Sequence, residues 1–457
     1  MKDTMKQTIN FTRRHWIGGM AALLCQMGLP RSAWGQSASA PLQVGIAEAP
    51  ITPSWTTRLW GYDNTSHYTS GVRDDIFAKA FLFDWGKRFL VFTMDVGAIG
   101  FPLSRRIKRH IDESTAMDED AVMMQVTHNH SAPSVLDIPT TPADERFHQL
   151  LEDKLVFLAG EAKKNLAPAR LAFGQADSFI ALNRRVGDRR NTWDKDSGPI
   201  DSAFSVLLVT SPDGKNRGVI VNYPSHPVTL REDNEKISAD FPGVMYRELG
   251  RSLGCPVAYM QGCCGDMIPK VFGSEKEMED YGRKMTGEAL RVLKKTSPIG
   301  GDSLDVRSER VILTFVAPYS LDDFRADYAK FTGRGHYQGQ WAERYLRYLE
   351  DGGDLRQSRD TVVQALRLGD LAIGIMPGEI LHLTASLLRK QFPGRKLMLA
   401  AYSNDTSMGY LPHADEFPRG GYEVADAWKY YDTLRTTPDM EKTVRETTAE
   451  LLHALVG

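Results

Sequence analysis

Cysteine is scarce in this sequence. Only four cysteines occur in 457 residues, and Cys25 lies in an amino-terminal segment that we expect to be removed. The other three, Cys255, Cys263 and Cys264, are an odd number with two of them adjacent. This pattern predicts no disulfide framework.

The sequence also has no excess of charge of either sign. Its 56 lysines and arginines nearly balance 58 aspartates and glutamates, which leaves a formal net charge of −2 with both signs interspersed along the chain. A protein that binds nucleic acid or an anionic membrane carries a basic patch, which this sequence does not show. We therefore expect neither of these among its partners.

Internal repeats and low-complexity linkers are absent from the sequence as well. No segment after residue 40 has the length of a membrane span, so we expect no transmembrane span in the mature chain. Short apolar strands alternate with amphipathic helices from Leu42 onward, which predicts one mixed α/β domain over residues 41–457. Residues 319–356 are helical, charged and aromatic in pattern. We interpret them as an insertion or a lid, although an ordinary peripheral helix is the simpler interpretation.

The first forty residues have the features of an export signal. The pair Arg13 and Arg14 precedes a weakly apolar stretch, and a small-residue Ala-Ser-Ala motif ends at Ala40. This order is typical of a twin-arginine signal peptide, and it predicts a periplasmic or secreted bacterial protein. A basic amphipathic terminus is the alternative. A lipid anchor at Cys25 is disfavoured because Leu24 occupies a position that requires a small residue.

Local patterns predict several secondary-structure elements. Two β-hairpins are expected, one turning at Asp84–Lys87 and one at the Pro-Asp-Gly sequence of residues 212–214. Helical spacing appears in the segments SRRIKRHIDEST, ERFHQLLEDKLVFLAGEAKKNL and FPGVMYRELGRSLG. The segment AVMMQVTHNH is expected to form a further strand.

Polar side chains with metal-binding or acid–base chemistry follow four predicted strands. They are His128 and His130 in Thr-His-Asn-His, His226 in Ser-His-Pro, Glu379 after a Pro-Gly turn, and Tyr410 beyond a later strand. The ends of strands in α/β folds are where reactive side chains gather. If the segment after the first of these strands stays extended, His128 and His130 share a face. One of them would then be free to bind a metal while the other transfers a proton.

Imidazole and carboxylate groups are ordinary ligands of zinc, and a site with an open position makes a bound water acidic. Each residue also has a less specific explanation. His226 before a proline is often a hydrogen-bonded loop residue, and Glu379 is suited to a helix N-terminus. Tyr410 can be an ordinary buried aromatic residue. The two histidines of the His-x-His pair can be polar residues of a turn. The residues alone therefore leave metal binding, acid–base chemistry and a structural role open.

The order of the motifs adds a family resemblance. The sequence resembles the neutral, non-lysosomal ceramidases through the motifs VGIAEAPITP, WGYDN, TMDVG, THNHSAP, LNRR, SHPVTL, ISADFPG, GCCGDMIP, MPGE and YSNDTSMGYLP, which occur in the family's order. The catalytic domain of that family is a mixed α/β zinc hydrolase, so the resemblance implies this fold for most of the mature chain.

The resemblance also implies roles for single residues. It assigns the four zinc ligands, which are His128, His226, Glu379 and Tyr410. It further implies that His130 helps to polarise the scissile carbonyl, and that Arg184, in LNRR, lines the active site.

The sequence departs from the family's pattern at three places. The turn that supplies the nucleophilic serine in ceramidases has Ile268 at the serine's position, within Gly-Asp-Met-Ile-Pro. The residues APSVLDI replace the glycines that follow the His-x-His-Ser motif. The chain also ends soon after the last ligand region, so we expect no carboxy-terminal immunoglobulin-like domain.

These departures lead to a specific hypothesis about function. A zinc-dependent hydrolase without the serine would use metal-bound water to attack an amide or ester carbonyl of a small-molecule, lipid-amide or glycan substrate. Cys263 or Cys264 is an alternative nucleophile or additional metal ligand. Metal-dependent cleavage of, or elimination on, a carbohydrate is a second enzymatic interpretation. A binding or scaffold protein that has kept the fold and lost its activity is a third.

Overall fold

The computed structural model describes residues 41–62, 68–186, 198–316, 320–331 and 337–457. The export signal predicted for residues 1–40 lies outside the described residues. Among the described helices, none combines the length and the apolar character needed to cross a membrane.

The strands and helices are short and alternate along the chain. The strands are β1 Gln43–Pro50, β2 Gly71–Val72, β3 Phe77–Asp84, β4 Arg88–Met94, β5 Val122–Val126, β6 Ala167–Pro168, β7 Arg170–Asp177, β8 Ala181–Asn183, β9 Ala203–Thr210, β10 Asn216–Tyr223, β11 Lys236–Ile237, β12 Val257–Gln261, β13 Met267–Pro269, β14 Ser297–Pro298, β15 Leu304–Thr314, β16 Ser358–Leu368, β17 Leu371–Ile375, β18 Glu379–Ile380, β19 Lys396–Ala400 and β20 Tyr410–Leu411. The helices are α1 Phe101–Thr115, α2 Glu145–Lys164, α3 Asp240–Leu253, α4 Glu275–Leu293, α5 Leu321–Phe331, α6 Tyr337–Glu350, α7 His382–Gln391, α8 Tyr422–Ala425, α9 Ala427–Tyr430 and α10 Pro438–Val456.

The predicted hairpins and helices are confirmed. Strands β3 and β4 pair antiparallel around the expected turn, and so do β9 and β10. Helices α1, α2 and α3 cover the three segments with helical spacing. Helix α2 begins where expected because the side chain of Asp144 accepts hydrogen bonds from the backbone N–H groups of Arg146 and Phe147. The predicted strand after α1 is β5, but it ends at Val126, before the two histidines.

Three sheets within the described part of the chain share one topology. Each contains an antiparallel first strand, a hairpin, and a last strand that follows a helix and pairs parallel with the second hairpin strand. The three units are β1-β3-β4-α1-β5, β7-β9-β10-α3-β12 and β15-β16-β17-α7-β19. A further helix, α2, α4 or α10, follows each unit and contacts the first strands of its own sheet. The fold therefore contains a repeat that the sequence does not show.

The three sheets surround a common apolar core. One cluster of buried side chains includes Phe81 and Val91 of the first sheet, Leu207 and Ile220 of the second and Ile373 of the third. The alternate residues of the same strands face the covering helices and are also buried, because successive side chains point to opposite faces. Burial on both faces explains why these strands read as continuous apolar runs.

Buried amide side chains join the sheets to one another. The Nδ2 group of Asn222 on β10 donates to the carbonyl oxygen of Leu399 on β19 over 3.0 Å. The Nε2 group of Gln125 on β5 donates to the carbonyl oxygens of Gln261 and Ala401, both over 2.8 Å. Strands β5, β12 and β19 are thereby held close together. Their carboxyl ends meet at one place, which is where the candidate site lies.

Helices α5 and α6 form within the segment predicted to be helical, and part of that segment lies outside the described residues. The rings of Phe324 and Tyr345 stack with their centroids 5.1 Å apart. The indole N–H of Trp341 donates to the carbonyl oxygen of Thr433, and the Tyr345 hydroxyl donates to that of Asp432. The two helices therefore pack on the chain that follows α9. Their action as a lid stays a prediction.

Asp95, at the end of β4, gives the stability a pH dependence that can be measured. Burial raises the pKa of its carboxyl to about 6, although the hydrogen bonds from the Phe77 N–H and the Tyr246 hydroxyl lower it. This pKa is higher in the folded than in the unfolded chain, so protonation of Asp95 stabilises the folded state. The contribution is complete below pH ~4 and is lost as the pH rises through 6. Between pH 4 and pH 7 the free energy of unfolding of Asp95→Asn should gain about 2 kcal/mol relative to that of the wild type. Urea unfolding of both proteins measures this, and a pH-independent difference would contradict it.

Candidate metal centre

His128 and His226 follow β5 and β10, and each ring is oriented by a backbone carbonyl. The Nδ1 of His128 lies 2.7 Å from the carbonyl oxygen of Gly97, and the Nδ1 of His226 lies 3.1 Å from that of Met267. A carbonyl oxygen only accepts, so Nδ1 carries the proton in both rings and Nε2 keeps its lone pair. Both residues are buried, and the Nε2 of His226 has no hydrogen-bond partner. Metal-binding histidines are typically held in this way.

The backbone at His128 corrects one expectation from the sequence. The segment after β5 does not stay extended, because His128 has φ = +66°, in the left-handed region that non-glycine residues rarely adopt. The N–H groups of His128 and Asn129 both donate to the carbonyl oxygen of Val96. His128 and His130 still approach each other, with ring centroids 4.9 Å apart, but a turn and not strand alternation brings them together.

Glu379 faces both histidines after the Pro-Gly turn that follows β17. Its Oε2 lies 3.2 Å from the Nε2 of His128 and 3.3 Å from the Nε2 of His226. Ligand atoms bound 2.0–2.1 Å from a tetrahedral zinc ion are about 3.3 Å apart, so both of these distances match the spacing of zinc ligands.

His130 lies on the other side of His128. The two Nε2 atoms are 3.2 Å apart, and the Nδ1 of His130 is buried without a hydrogen-bond partner. Burial, together with His128 and His226, lowers the pKa of His130 well below its usual value, so the ring is neutral at neutral pH. One ring nitrogen from each of the three imidazoles lies within 4.8 Å of the others, so the three residues could hold a metal by themselves. Two overlapping donor sets therefore exist, one with Glu379 and one with His130.

Tyr410 and Arg184 form a second part of the centre. Tyr410 is in register with Glu379 in the parallel pair of β20 and β18. Its hydroxyl accepts a hydrogen bond of 2.8 Å from Arg184, whose guanidinium also donates to Glu423 and to the carbonyl oxygen of Gly265. Burial raises the pKa of the Tyr410 phenol well above its usual value, although the charge of the nearby Arg184 lowers it. The predicted residues are thus brought together, although their roles as ligands stay predictions.

A buried ion pair fixes the turn beside His226 against the segment that carries Glu379. Asp266 accepts hydrogen bonds from the backbone N–H of His382, over 2.9 Å, and from its Nδ1, over 2.5 Å. Ile268, two residues after Asp266, lies in β13 and pairs with Leu182 of β8. Its side chain is almost fully buried and has no nucleophilic atom.

The two adjacent cysteines are thiols in this environment. Burial raises the pKa values of Cys263 and Cys264 well above the usual value. A thiol is a poor nucleophile and a poor metal ligand compared with a thiolate. The Sγ of Cys264 donates to the hydroxyl of Tyr402 over 3.1 Å, so its contact is with a neighbour of Glu379.

Reasoning from the sequence missed three residues of the centre. The hydroxyl of Tyr402 donates to Oε2 of Glu379 over 3.1 Å, and the hydroxyl of Tyr431 donates to Oε1. The ring centroid of Trp60 lies 5.1 Å from those of His128 and His130. Tyr402 lies two residues after the end of β19 and could have been found by the strand-end argument that selected Tyr410. Nothing in the sequence around Tyr431 marks it.

The chain is similar in sequence and in fold to known proteins. The sequence model of the family described as "Neutral/alkaline non-lysosomal ceramidase, N-terminal" matches residues 42–297. The neutral ceramidase of Pseudomonas aeruginosa is 24% identical over 271 residues, which are 55% of this chain and 40% of that protein. The matched region thus spans less than half of the length of this relative.

Two solved structures show the same fold. The crystal structure of the neutral ceramidase from P. aeruginosa has a TM-score of 0.73 and 19% sequence identity, over 91% of this chain and 74% of that chain. A structure titled as ceramidase complexed with C2 has a TM-score of 0.73 and 18% identity, over 91% of this chain and 75% of that chain. This confirms the expected mixed α/β catalytic fold. With a family model that matches more than half of its residues, the chain belongs to the neutral/alkaline non-lysosomal ceramidase family.

Proposed function

We propose that this protein is an exported, zinc-dependent hydrolase that cleaves an amide or ester bond with water as the nucleophile. One observation carries the proposal. Oε2 of Glu379 lies 3.2 and 3.3 Å from the Nε2 atoms of two buried histidines, each with its Nδ1 proton held by a backbone carbonyl. His128, His226 and Glu379 are the proposed ligands, with Tyr410 as the fourth.

Zinc is the metal that this donor set favours. Neutral imidazole and carboxylate are among its usual ligands, and oxygen-only sites suit magnesium or calcium instead. When bound, zinc would lower the pKa of a coordinated water to about 7 and polarise the scissile carbonyl, which suits hydrolysis at neutral pH. The buried, unpartnered Nε2 of His226 supports the fit, since an unsatisfied buried nitrogen is costly unless something binds it.

His130 is the proposed proton carrier. Burial keeps its ring neutral, so it can take a proton from the attacking water and pass it to the leaving amine or alcohol. In this step the new bond joins the water oxygen to the carbonyl carbon, and the carbon–nitrogen or carbon–oxygen bond breaks. The same ring, acting as a donor, would stabilise the oxyanion that develops on the carbonyl oxygen.

Arg184 has two roles in the proposal. Its contact of 2.8 Å fixes the hydroxyl of Tyr410, and its charge orients a polar or anionic part of the substrate. Water replaces a nucleophilic side chain because Ile268 occupies the position where the family carries serine, and because Cys263 and Cys264 are buried thiols. Family membership favours a lipid amide as the substrate, whereas the isoleucine argues against ceramide. The export signal predicted for residues 1–40 favours action in the periplasm or outside the cell.

The proposal is tested by assaying the purified protein on a panel of substrates before and after metal removal. The panel contains a short-chain fluorescent ceramide, other fatty acyl amides, aryl esters and acidic oligosaccharides. We expect cleavage of at least one amide or ester, loss of that activity on dialysis against dipicolinate, and recovery with one equivalent of zinc. Activity that survives chelation would overturn the proposal. Cleavage of oligosaccharides alone would favour the carbohydrate alternative, and full metal occupancy without turnover would favour a scaffold.

A further inference from the structure

Both oxygens of the Glu379 carboxylate receive a phenol hydroxyl. Tyr431 donates to Oε1, and Tyr402 donates to Oε2 over 3.1 Å. The two histidine Nε2 atoms that face the carboxylate approach Oε2 most closely, at 3.2 and 3.3 Å. The carboxylate is therefore held unsymmetrically, with one oxygen directed to the histidines and the other bonded to Tyr431.

The backbone places both phenols for this contact. Tyr402 lies two residues after β19 with φ = +55°, and its N–H donates to the carbonyl oxygen of Gly378, the residue before Glu379. Tyr431 directly follows α9, and its ring lies against Gly409. A Cβ atom at Gly409 would stand 2.6 Å from Cδ2 of Tyr431, and the φ of +70° at this position also favours glycine. Both rings are almost fully buried, so neither has room to turn away.

We propose that Tyr431 and Tyr402 are positioning residues of the metal centre, and that Tyr431 makes Glu379 a one-oxygen ligand by holding Oε1 away from the metal. This inference rests on the proposed function, because it requires Glu379 to bind a metal. A carboxylate that ligates through one oxygen leaves the metal a free position, which a hydrolase needs. Partners that orient a ligand in this way typically change metal affinity by about 10–100-fold.

The decisive variant is Tyr431→Phe, which removes the hydroxyl and leaves Oε1 without its donor. The matched control is Tyr430→Phe, one residue earlier. The hydroxyl of Tyr430 is similarly buried but accepts a hydrogen bond from the N–H of Gly61. Thermal unfolding of the metal-free proteins shows whether each variant folds.

Zinc affinity is measured by competition with a chromogenic chelator, and the coordination number by the visible spectrum of the cobalt(II)-substituted protein. We expect Tyr431→Phe to bind zinc about 10–100-fold more weakly. Its cobalt absorption should weaken as Oε1 also joins the metal and the coordination number rises. Tyr430→Phe should retain both wild-type properties. Tyr402→Phe should lose affinity and keep the wild-type spectrum, because Tyr431 still holds Oε1.

The possible failures are distinguishable. A wild-type protein that binds no zinc would overturn the proposed function and this inference with it. Wild-type affinity and spectrum in Tyr431→Phe would overturn the inference alone. If Tyr431→Phe does not fold, Tyr402→Phe decides whether a phenol positions Glu379, since wild-type zinc affinity in that variant would also refute the inference.

Discussion

Replacing His226 by alanine should remove the metal from this protein, and with it the hydrolytic activity and the stabilisation that metal binding provides. His226 supplies one of the proposed ligand atoms, and its Nε2 lies 3.3 Å from Oε2 of Glu379, as ligands of one zinc ion do. The methyl group of alanine replaces neither the nitrogen nor the volume of the ring. We expect the rate of hydrolysis to fall by about a thousandfold or more, which corresponds to several kcal/mol of lost charge stabilisation.

The stability of the same variant separates metal loss from simple unfolding. A ligand that binds only the folded state stabilises it by about 4 kcal/mol when its concentration is a thousand times its dissociation constant. Zinc should therefore raise the unfolding temperature of the wild type and leave that of His226→Ala unchanged. His110→Ala is the control, since His110 is an exposed residue of α1 paired with Glu152. A response of His226→Ala to zinc equal to that of the wild type would remove His226 from the proposed ligands.

The second large effect is expected at His130. Replacing it by alanine should lower kcat about 10²–10⁴-fold, the usual contribution of a general acid–base group, and should leave the metal in place. The reason is that His128, His226 and Glu379 form the donor set without it. Substrate binding should change little, so the loss should appear in kcat and not in KM.

Metal content decides between the two donor sets at the same time. The three imidazoles could also hold a metal, with His130 as a ligand. If His130→Ala loses its zinc, the ligands are the three histidines, and Glu379 lies beside the metal without binding it. His130→Gln is a useful companion, because glutamine keeps a donor near the ring position but cannot carry a proton at neutral pH. Wild-type kcat in either variant would contradict the assigned role.

Local signals explain what the sequence could predict. The hairpins between β3 and β4 and between β9 and β10 are marked by glycine-containing turns between apolar runs, and α2 by its aspartate cap. The positions of His128, His226, Glu379 and Tyr410 after strands could be read in the same way. Joining them into one site required the family resemblance, because no local pattern states that four strand ends meet.

The remaining features depend on contacts between distant segments. Tyr431 and Tyr402 lie 52 and 23 residues from Glu379, and the folded structure is needed to show that both hydroxyls contact its carboxylate. His128 was expected in an extended segment, but the N–H bonds to Val96 fix it in a left-handed turn. The three sheets share one topology, but this repeat cannot be seen in the sequence. The units have similar patterns of apolar residues and different amino acids.

The central claim is that two histidines and a glutamate bind a zinc ion, and elemental analysis tests it most directly. The protein is purified from its own host without chelators, beside His128→Ala prepared in the same way. The account predicts about one zinc per chain in the wild type and none in the variant. A wild type that contains no metal, or a variant with as much zinc as the wild type, would contradict it.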